Sequence, residues 1–225
     1  MKTELLKEGI SQLGLSCSDH QIELLQRYSE LLLKWNKVYN LTSIRNPDEV
    51  LTHHILDSLS IIPVYRSLHP DPITVMDVGS GGGLPAIPLA IMCPDYDVTM
   101  VDTVGKKCAF LTQCIVELGL KNAKVLNKRV ETISGKAYDV LSSRAFASLN
   151  LFVDLTYHLV KDGGHWLAMK GVMPEQEMTE LPEFVKVKNI YYAQGLEDGA
   201  ALFKAEAAKG AGLKAVQTNR FDVNS

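Results

Sequence analysis

The chain has 225 residues, 46% hydrophobic and 22% charged, and carries a formal net charge of −3. That supports one substantial core with a small appendage. Its weak acidity excludes a protein that attracts nucleic acid through its overall field, so an anionic partner has to be met by local basic patches. No apolar run approaches the roughly 18 residues of a membrane span. Lys2, Glu4 and Lys7 put charge where a signal peptide would be apolar. Cys17, Cys93, Cys108 and Cys114 show no C-x-x-C pairing, which predicts free thiols used as small hydrophobes in a reducing cytoplasm.

Residues 4–15 have helical spacing, with Leu5, Leu6, Ile10 and Leu13 on one face. Ser18 and Asp19 are N-cap candidates for a second helix over about 20–37, whose apolar positions include Ile22, Leu25, Tyr28, Leu32 and Trp35. "NKVYNLTSIRNP" breaks the pattern. Pro47 then opens a further helix, "PDEVLTHHILDSLSII", with Asp48 and Glu49 favourable to its dipole. Residues 1–68 are therefore expected to form a helical extension, and "HPDP" at 69–72 to link it to the rest of the chain.

From there strands and helices alternate. "ITVMDV", "YDVTMVD", "AKVLNKRV", "YDVLSSRA" and "HWLAMKG" read as strands. Helices are expected at about 85–92, in "KKCAFLTQCIVELGL" up to Gly119, and in "SLNLFVDLTYHLV" up to "KDGG". Such alternation predicts an α/β fold, a doubly wound, mostly parallel sheet, over residues 69–195.

The first strand runs into "MDVGSGGGLPAIPLA" at 76–90. This is where a doubly wound sheet places its ligand. Gly79, Gly81, Gly82 and Gly83 are expected to let the backbone take positive φ and a ligand approach it. A dinucleotide fingerprint, G-x-G-x-x-G, would need glycine at 84, where Leu84 stands. The pattern present is G-x-G-x-G, preceded by Asp77 and followed by Pro85, and it resembles the first motif of Rossmann-like S-adenosylmethionine-dependent methyltransferases. Asp102 ends the second strand, 23 residues after Gly79, where a carboxylate accepts hydrogen bonds from ribose hydroxyls. A nicotinamide cofactor needs the same acid, so Asp102 does not choose between the two. An oxidoreductase and a non-catalytic binding module remain as alternatives.

No N/D-P-P-Y/F motif of amine methylation follows the fourth strand, and no cysteine nucleophile does either. "LLKWNKVYNLTSIR", "HHILDSL", "DVGSGGGLPAIPLA", "SSRAFASLN" and "MKGVMPEQE" together resemble the successive signatures of the ribosomal RNA small-subunit methyltransferase G family, over roughly residues 15–185. The resemblance implies methyl transfer from S-adenosylmethionine to N7 of one guanine in small-subunit ribosomal RNA, with the RNA or the ribosomal particle as partner. It places cofactor contacts on Gly79, Leu84, Val130, Glu131 and Arg144. No general base is expected, because guanine N7 has a free lone pair. No metal is expected, and the protein is expected to act as a monomer.

Other residues rest on weaker grounds. Arg144 and Lys170, at the ends of the fourth and fifth strands, are candidates for meeting a carboxylate or phosphate. Asn40 and Arg45 lie in the polar break of the helical region and are candidate RNA contacts. Lys121, Lys124, Lys128 and Arg129 form the best basic cluster, either an RNA-backbone surface or a solvated edge. His53 and Asp57 stand four apart on a helix, but no third metal ligand has suitable spacing; His53 and His54 are read as packing or RNA contacts. Two loop positions depart from the family: Gly82 stands where proline is usual, which should loosen the loop, and Ala86 stands where glycine is usual. Residues 196–225 are Ala- and Lys-rich and are expected to form a short helix with a loose tail, costing the sheet its usual edge pairing.

Overall fold

The computed structural model describes residues 2–135, 137–144, 146–170, 175–183, 185–192 and 201–207. Helix α1 (Lys2–Gln12) buries Leu6 and Ile10. Helix α2 (Asp19–Tyr39) starts in a capping box. The Ser18 hydroxyl accepts the Gln21 N–H at 3.1 Å, and the Gln21 side chain accepts the Ser18 N–H at 2.9 Å. It stops where Asn40 turns left-handed, at φ 49°.

The helix begun by Pro47 is not uniform. Asn46 caps α3 (Pro47–Val50), a π-helical turn follows over Leu51–Leu56, and α4 (Asp57–Leu59) and α5 (Ile62–Leu68) complete the extension. The π turn shifts the facing of the residues after it. His54 and Asp57 are buried while His53 is exposed. His53 and Asp57 therefore do not share an environment, and His54, read with His53 as a packing or RNA contact, is the buried one of the two.

Five strands form the parallel part of the sheet: β1 (Thr74–Val78), β2 (Asp97–Asp102), β3 (Ala123–Asn127), β4 (Tyr138–Arg144) and β5 (Val160–Lys170). They are interleaved with α6 (Ala86–Met92), α7 (Gly105–Leu118) and α8 (Leu149–Thr156); α9 (Glu175–Thr179) follows β5. Two antiparallel strands complete the sheet, β6 (Val185–Tyr192) and β7 (Ala201–Ala207), in the order β3-β2-β1-β4-β5-β7-β6. The chain reverses its winding between β1 and β4, which opens a crevice at their carboxyl ends.

Alternation along the strands divides the core. Val75, Val98, Met100, Val140 and Leu167 face the helical extension with α6 and α7. Met76, Val78, Val101, Leu141 and Trp166 face α8. Asp77 and Ser142 are register partners and share the face turned to the extension.

Two expectations need correction. Lys161–Gly164 do not end a helix outside the sheet; they lie within β5. The register against β4 jumps from Val160 to His165, a bulge in which a Cβ on Gly164 would meet the Asp139 carbonyl oxygen at 3.0 Å. The second correction concerns the C-terminal segment. Ala201–Ala207 is a strand, not a helix, and is inserted between β5 and β6, with Trp166 opposite Ala205 and Ile190 opposite Phe203. The pairing on both sides overrides the helical propensity of its alanines and lysine. The boundary expected at 195 therefore separates two strands of one sheet; residues 208–225 lie outside the described residues.

Candidate active site

The glycine loop is anchored to the second strand. Gly79 and Ser80 donate their N–H groups to the Val101 carbonyl at 2.8 and 3.1 Å. Gly79 has φ +71°, and a Cβ there would lie 2.6 Å from the Phe146 ring. Gly83 has φ +85°, and a Cβ would strike Ile87 at 2.7 Å and Leu111 at 2.9 Å. Both positions therefore require glycine, Gly79 for the cavity wall and Gly83 for packing beneath it. Gly82, expected to loosen the loop, is buried, and its carbonyl accepts the Tyr28 hydroxyl of α2. The helical extension thus holds the loop from behind.

In front of the loop lies a cavity of about 400 Å³. Val78 and Gly79 form one wall, Val101, Asp102, Val104 and Lys107 another. Lys128, Arg129, Val130, Glu131, Phe146 and Leu155 complete its lining. The Asp102 carboxylate is 7% exposed. One oxygen accepts the Gly81 N–H at 3.0 Å and the other the Val104 N–H at 2.8 Å, and Lys107 Nζ stands 3.9 Å away. A carboxylate has roughly four lone-pair directions, so two remain for a ligand's hydroxyls. Val130 and Glu131 fall in a 3-10 turn (Val130–Thr132) after β3, with Val130 buried and Glu131 exposed. The third strand is shorter than expected, which frees this turn to face the cavity.

The remaining candidates sit elsewhere. Leu84 is buried in the core shared with the extension, away from the cavity lining. Arg144 ends β4 and donates to Asp57 Oδ2 at 3.2 Å, with His54 Nδ1 at 3.4 Å. Lys170 donates to the Ala147 carbonyl at 2.7 Å and to Glu177 at 2.9 Å, and Glu177 also accepts the Leu149 N–H at 2.7 Å. Lys170 therefore ties down the segment after β4. Asn40 is the exposed cap of α2. Arg45 is exposed beside Lys37 and Asn36 at a pocket of about 260 Å³. The expected basic cluster divides. Lys128 and Arg129 reach the cavity, Lys124 is paired with Asp97 at 2.9 Å, and Lys121 lines a separate cleft beside α2 and α6.

Among the titratable groups perturbed on the extension side are Asp77 and His54. Burial pushes the Asp77 carboxyl up to about 7, although Ser142 donates to one of its oxygens at 2.8 Å. The second oxygen has no hydrogen-bond partner among the described residues. Burial, and then the Arg144 cation, push His54 down to about 4, so its ring is neutral near pH 7. Sequence reasoning did not single out Phe146 or Lys107 as cavity residues. Phe146 lay within "SSRAFASL", but no spacing marks it, because only the fold carries it over Gly79.

A family model described as rRNA small subunit methyltransferase G matches residues 21–194. The chain belongs to the rRNA small subunit methyltransferase G family. Proteins of that name from Ralstonia nicotianae and Neisseria meningitidis serogroup B are similar to it. The first is 52% identical over 190 residues, 82% of this chain and 85% of that protein. The second is 47% identical over 189 residues, 84% and 89% of the two chains. Among solved structures, magnesium protoporphyrin IX methyltransferase from Synechocystis with bound S-adenosylmethionine aligns at TM-score 0.60 and 10% identity, covering 86% of this chain and 99% of that one. A methyltransferase from Aquifex aeolicus dependent on the same compound aligns at 0.56 and 16%, covering 71% and 93%. These likenesses establish the Rossmann-like methyltransferase fold.

As a member of the methyltransferase G family, the protein is an S-adenosylmethionine-dependent enzyme that methylates ribosomal RNA. That sets aside the nicotinamide-dependent oxidoreductase. The cavity fits the cofactor's nucleoside: it has a tethered carboxylate with spare acceptor capacity, an apolar wall of Val130, Leu155 and Phe146, and a backbone cleared of side chain at Gly79. Among the described residues no group of three or more His, Cys, Asp or Glu could hold a metal ion, and no helix is long and apolar enough to cross a membrane.

Proposed function

We propose that this protein methylates N7 of one guanine in small-subunit ribosomal RNA, holding the cofactor nucleoside between Gly79, Asp102 and the Val130–Glu131 turn. The observation that carries the reading is the Asp102 carboxylate, fixed by two backbone N–H groups yet retaining free lone pairs at the cavity. S-adenosylmethionine, when bound, supplies an electrophilic methyl on a positively charged sulfur. Asp102 would accept the ribose hydroxyls, and the backbone of Val130 and Glu131 would bond the adenine edge. Gly81 supports Asp102, Gly83 and Leu84 shape the loop from behind, and Arg144 would meet the cofactor's carboxylate.

Guanine N7 already has its lone pair in place, so no side chain has to remove a proton. The only carboxylates at the cavity, among the described residues, are Asp102 and Glu131. Asp102 is already tethered, and Glu131 is exposed beside Arg129, 3.4 Å away. Neither is placed as a buried general base. The protein's contribution is then alignment and exclusion of water, for which effective molarity supplies roughly 7–11 kcal/mol in favourable cases. Lys128 and Arg129 at the cavity mouth, with Asn40 and Arg45 on the extension, would contact RNA phosphates. The four thiols are free and three are buried, which supports a reducing, cytoplasmic setting. A monomer is expected, and sedimentation velocity checks it.

The test is incubation with labelled S-adenosylmethionine and small-subunit particles, or naked RNA, from cells lacking the protein. Label at a single guanine N7, read by chain cleavage at 7-methylguanosine, is expected. Label on an exocyclic amine or a ribose would overturn the N7 assignment.

A further inference from the structure

We propose that Asp57 is a positioning residue, a carboxylate of the helical extension that fixes the Arg144 guanidinium for a ligand carboxylate. This rests on the reading of Arg144 as a cofactor contact. The two residues meet through a single contact, 3.2 Å from Arg144 Nη1 to Asp57 Oδ2. A purely structural arginine–carboxylate pair gains most by fork-to-fork bonding. Here the second oxygen of Asp57 is buried without a hydrogen-bond partner among the described residues. Its carboxylate is only 10% exposed, while Arg144 is 22% exposed. Burying a carboxylate with half its acceptors unused does little for stability alone, since a well-packed apolar pair often does as well. The single contact leaves other N–H donors of the guanidinium available.

Local structure aims both partners. His54, within the π turn over Leu51–Leu56, and Asp57, which follows it, both reach the same guanidinium; such turns recur at functional sites. The Ile44 N–H reaches the Thr42 hydroxyl at 3.2 Å, and that hydroxyl bonds His54 Nε2 at 2.5 Å. The other ring nitrogen lies 3.0 Å from the His53 carbonyl. The chain of bonds assigns the proton to Nδ1, so His54 buttresses the arginine sterically and does not compete as an acceptor. On the strand side, Ser142 shares the face of Arg144 and bonds Asp77, beside the glycine loop. Arg144 therefore leaves β4 on the face turned to the extension, where Asp57 and His54 meet it.

The experiment is calorimetric titration of the full-length protein and its Asp57→Asn, Arg144→Gln and doubly substituted forms. The ligands are S-adenosylhomocysteine, which has the amino-acid carboxylate, and methylthioadenosine, which lacks it. Asp57→Asn should weaken S-adenosylhomocysteine about tenfold, the order expected for one charge-assisted contact, and leave methylthioadenosine unchanged. In the Arg144→Gln background, Asp57→Asn should add nothing. Multiplying penalties, or equal loss for both ligands, would show a general structural role and overturn the proposal while leaving Arg144 as a contact. Full affinity in Arg144→Gln would overturn the Arg144 reading and the proposal together. If Asp57→Asn does not fold, Asp57→Glu, which keeps the charge but displaces it, should show a smaller loss confined to S-adenosylhomocysteine; no loss, or loss for both ligands, overturns the proposal.

Discussion

The Asp102 carboxylate accepts the Gly81 N–H at 3.0 Å, so the acid that ends β2 is also a strut of the loop that follows β1. Its companion bond to the Val104 N–H, at 2.8 Å, fixes the start of α7 as well. One side chain therefore sets the geometry of three segments and presents its remaining lone pairs to the cavity.

Replacing Asp102 by Ala removes both the strut and the ribose acceptors. S-adenosylmethionine affinity should fall about 10- to 100-fold, given that bonds to a charged acceptor contribute roughly 1.5–3 kcal/mol each before relaxation. Equilibrium dialysis checks this. Wild-type affinity in the variant would remove Asp102 from the cofactor site.

Gly79→Ala should abolish methylation with little change in the rest of the fold. The new methyl would lie 2.6 Å from Phe146, at a backbone φ of +71°. A second change, Phe146→Ala, relieves the collision but not the backbone strain, so the double variant should recover cofactor binding in part. Single-turnover transfer to RNA and cofactor titration separate the two effects.

The pH dependence of stability should carry a signature of Asp77. Its carboxyl, pushed up to about 7 by burial, has an unfolded value of roughly 3.9. Between these values the folded protein holds the extra proton, so stability falls as pH rises through the window. His54 acts in the opposite sense: with its folded value near 4, it loses stability as pH falls through its unfolded value, roughly 6.5, toward 4. Asp77→Asn removes the first contribution alone. Its melting temperature relative to wild type should therefore rise from pH 5 to pH 8, and a constant difference would contradict the assignment.

Much of this architecture could be read from the sequence because it is local. Strand–helix alternation marked the parallel sheet, and the glycine spacing with Asp102 marked the loop and strand end that line the cavity. What escaped depends on distant partners. Ala201–Ala207 reads as helix until β5 and β6 pair with it. Helical spacing sets both His53 and His54 near Asp57, and only the strand-end Arg144, brought in by the fold, shows which of them faces inward. Lys170 reads as a free strand-end cation until Glu177 is brought beside it. Tyr28 has core spacing on α2, and nothing local shows that its hydroxyl serves the glycine loop.

That last bond leads to a separable expectation for Tyr28→Phe. The substitution keeps the buried ring and its packing in the core, and takes away only the hydroxyl, which also borders Gly83. It removes the only hydrogen bond to the Gly82 carbonyl among those described. An orphaned buried acceptor costs about 1–3 kcal/mol, so denaturant unfolding should show a loss of that size. Because Gly82 lies inside the loop, cofactor affinity should fall with it, whereas a substitution on the far side of α2, such as Glu30→Gln, should leave affinity unchanged. A Tyr28→Phe protein with lower stability but full cofactor affinity would show that the extension supports the fold without setting the loop.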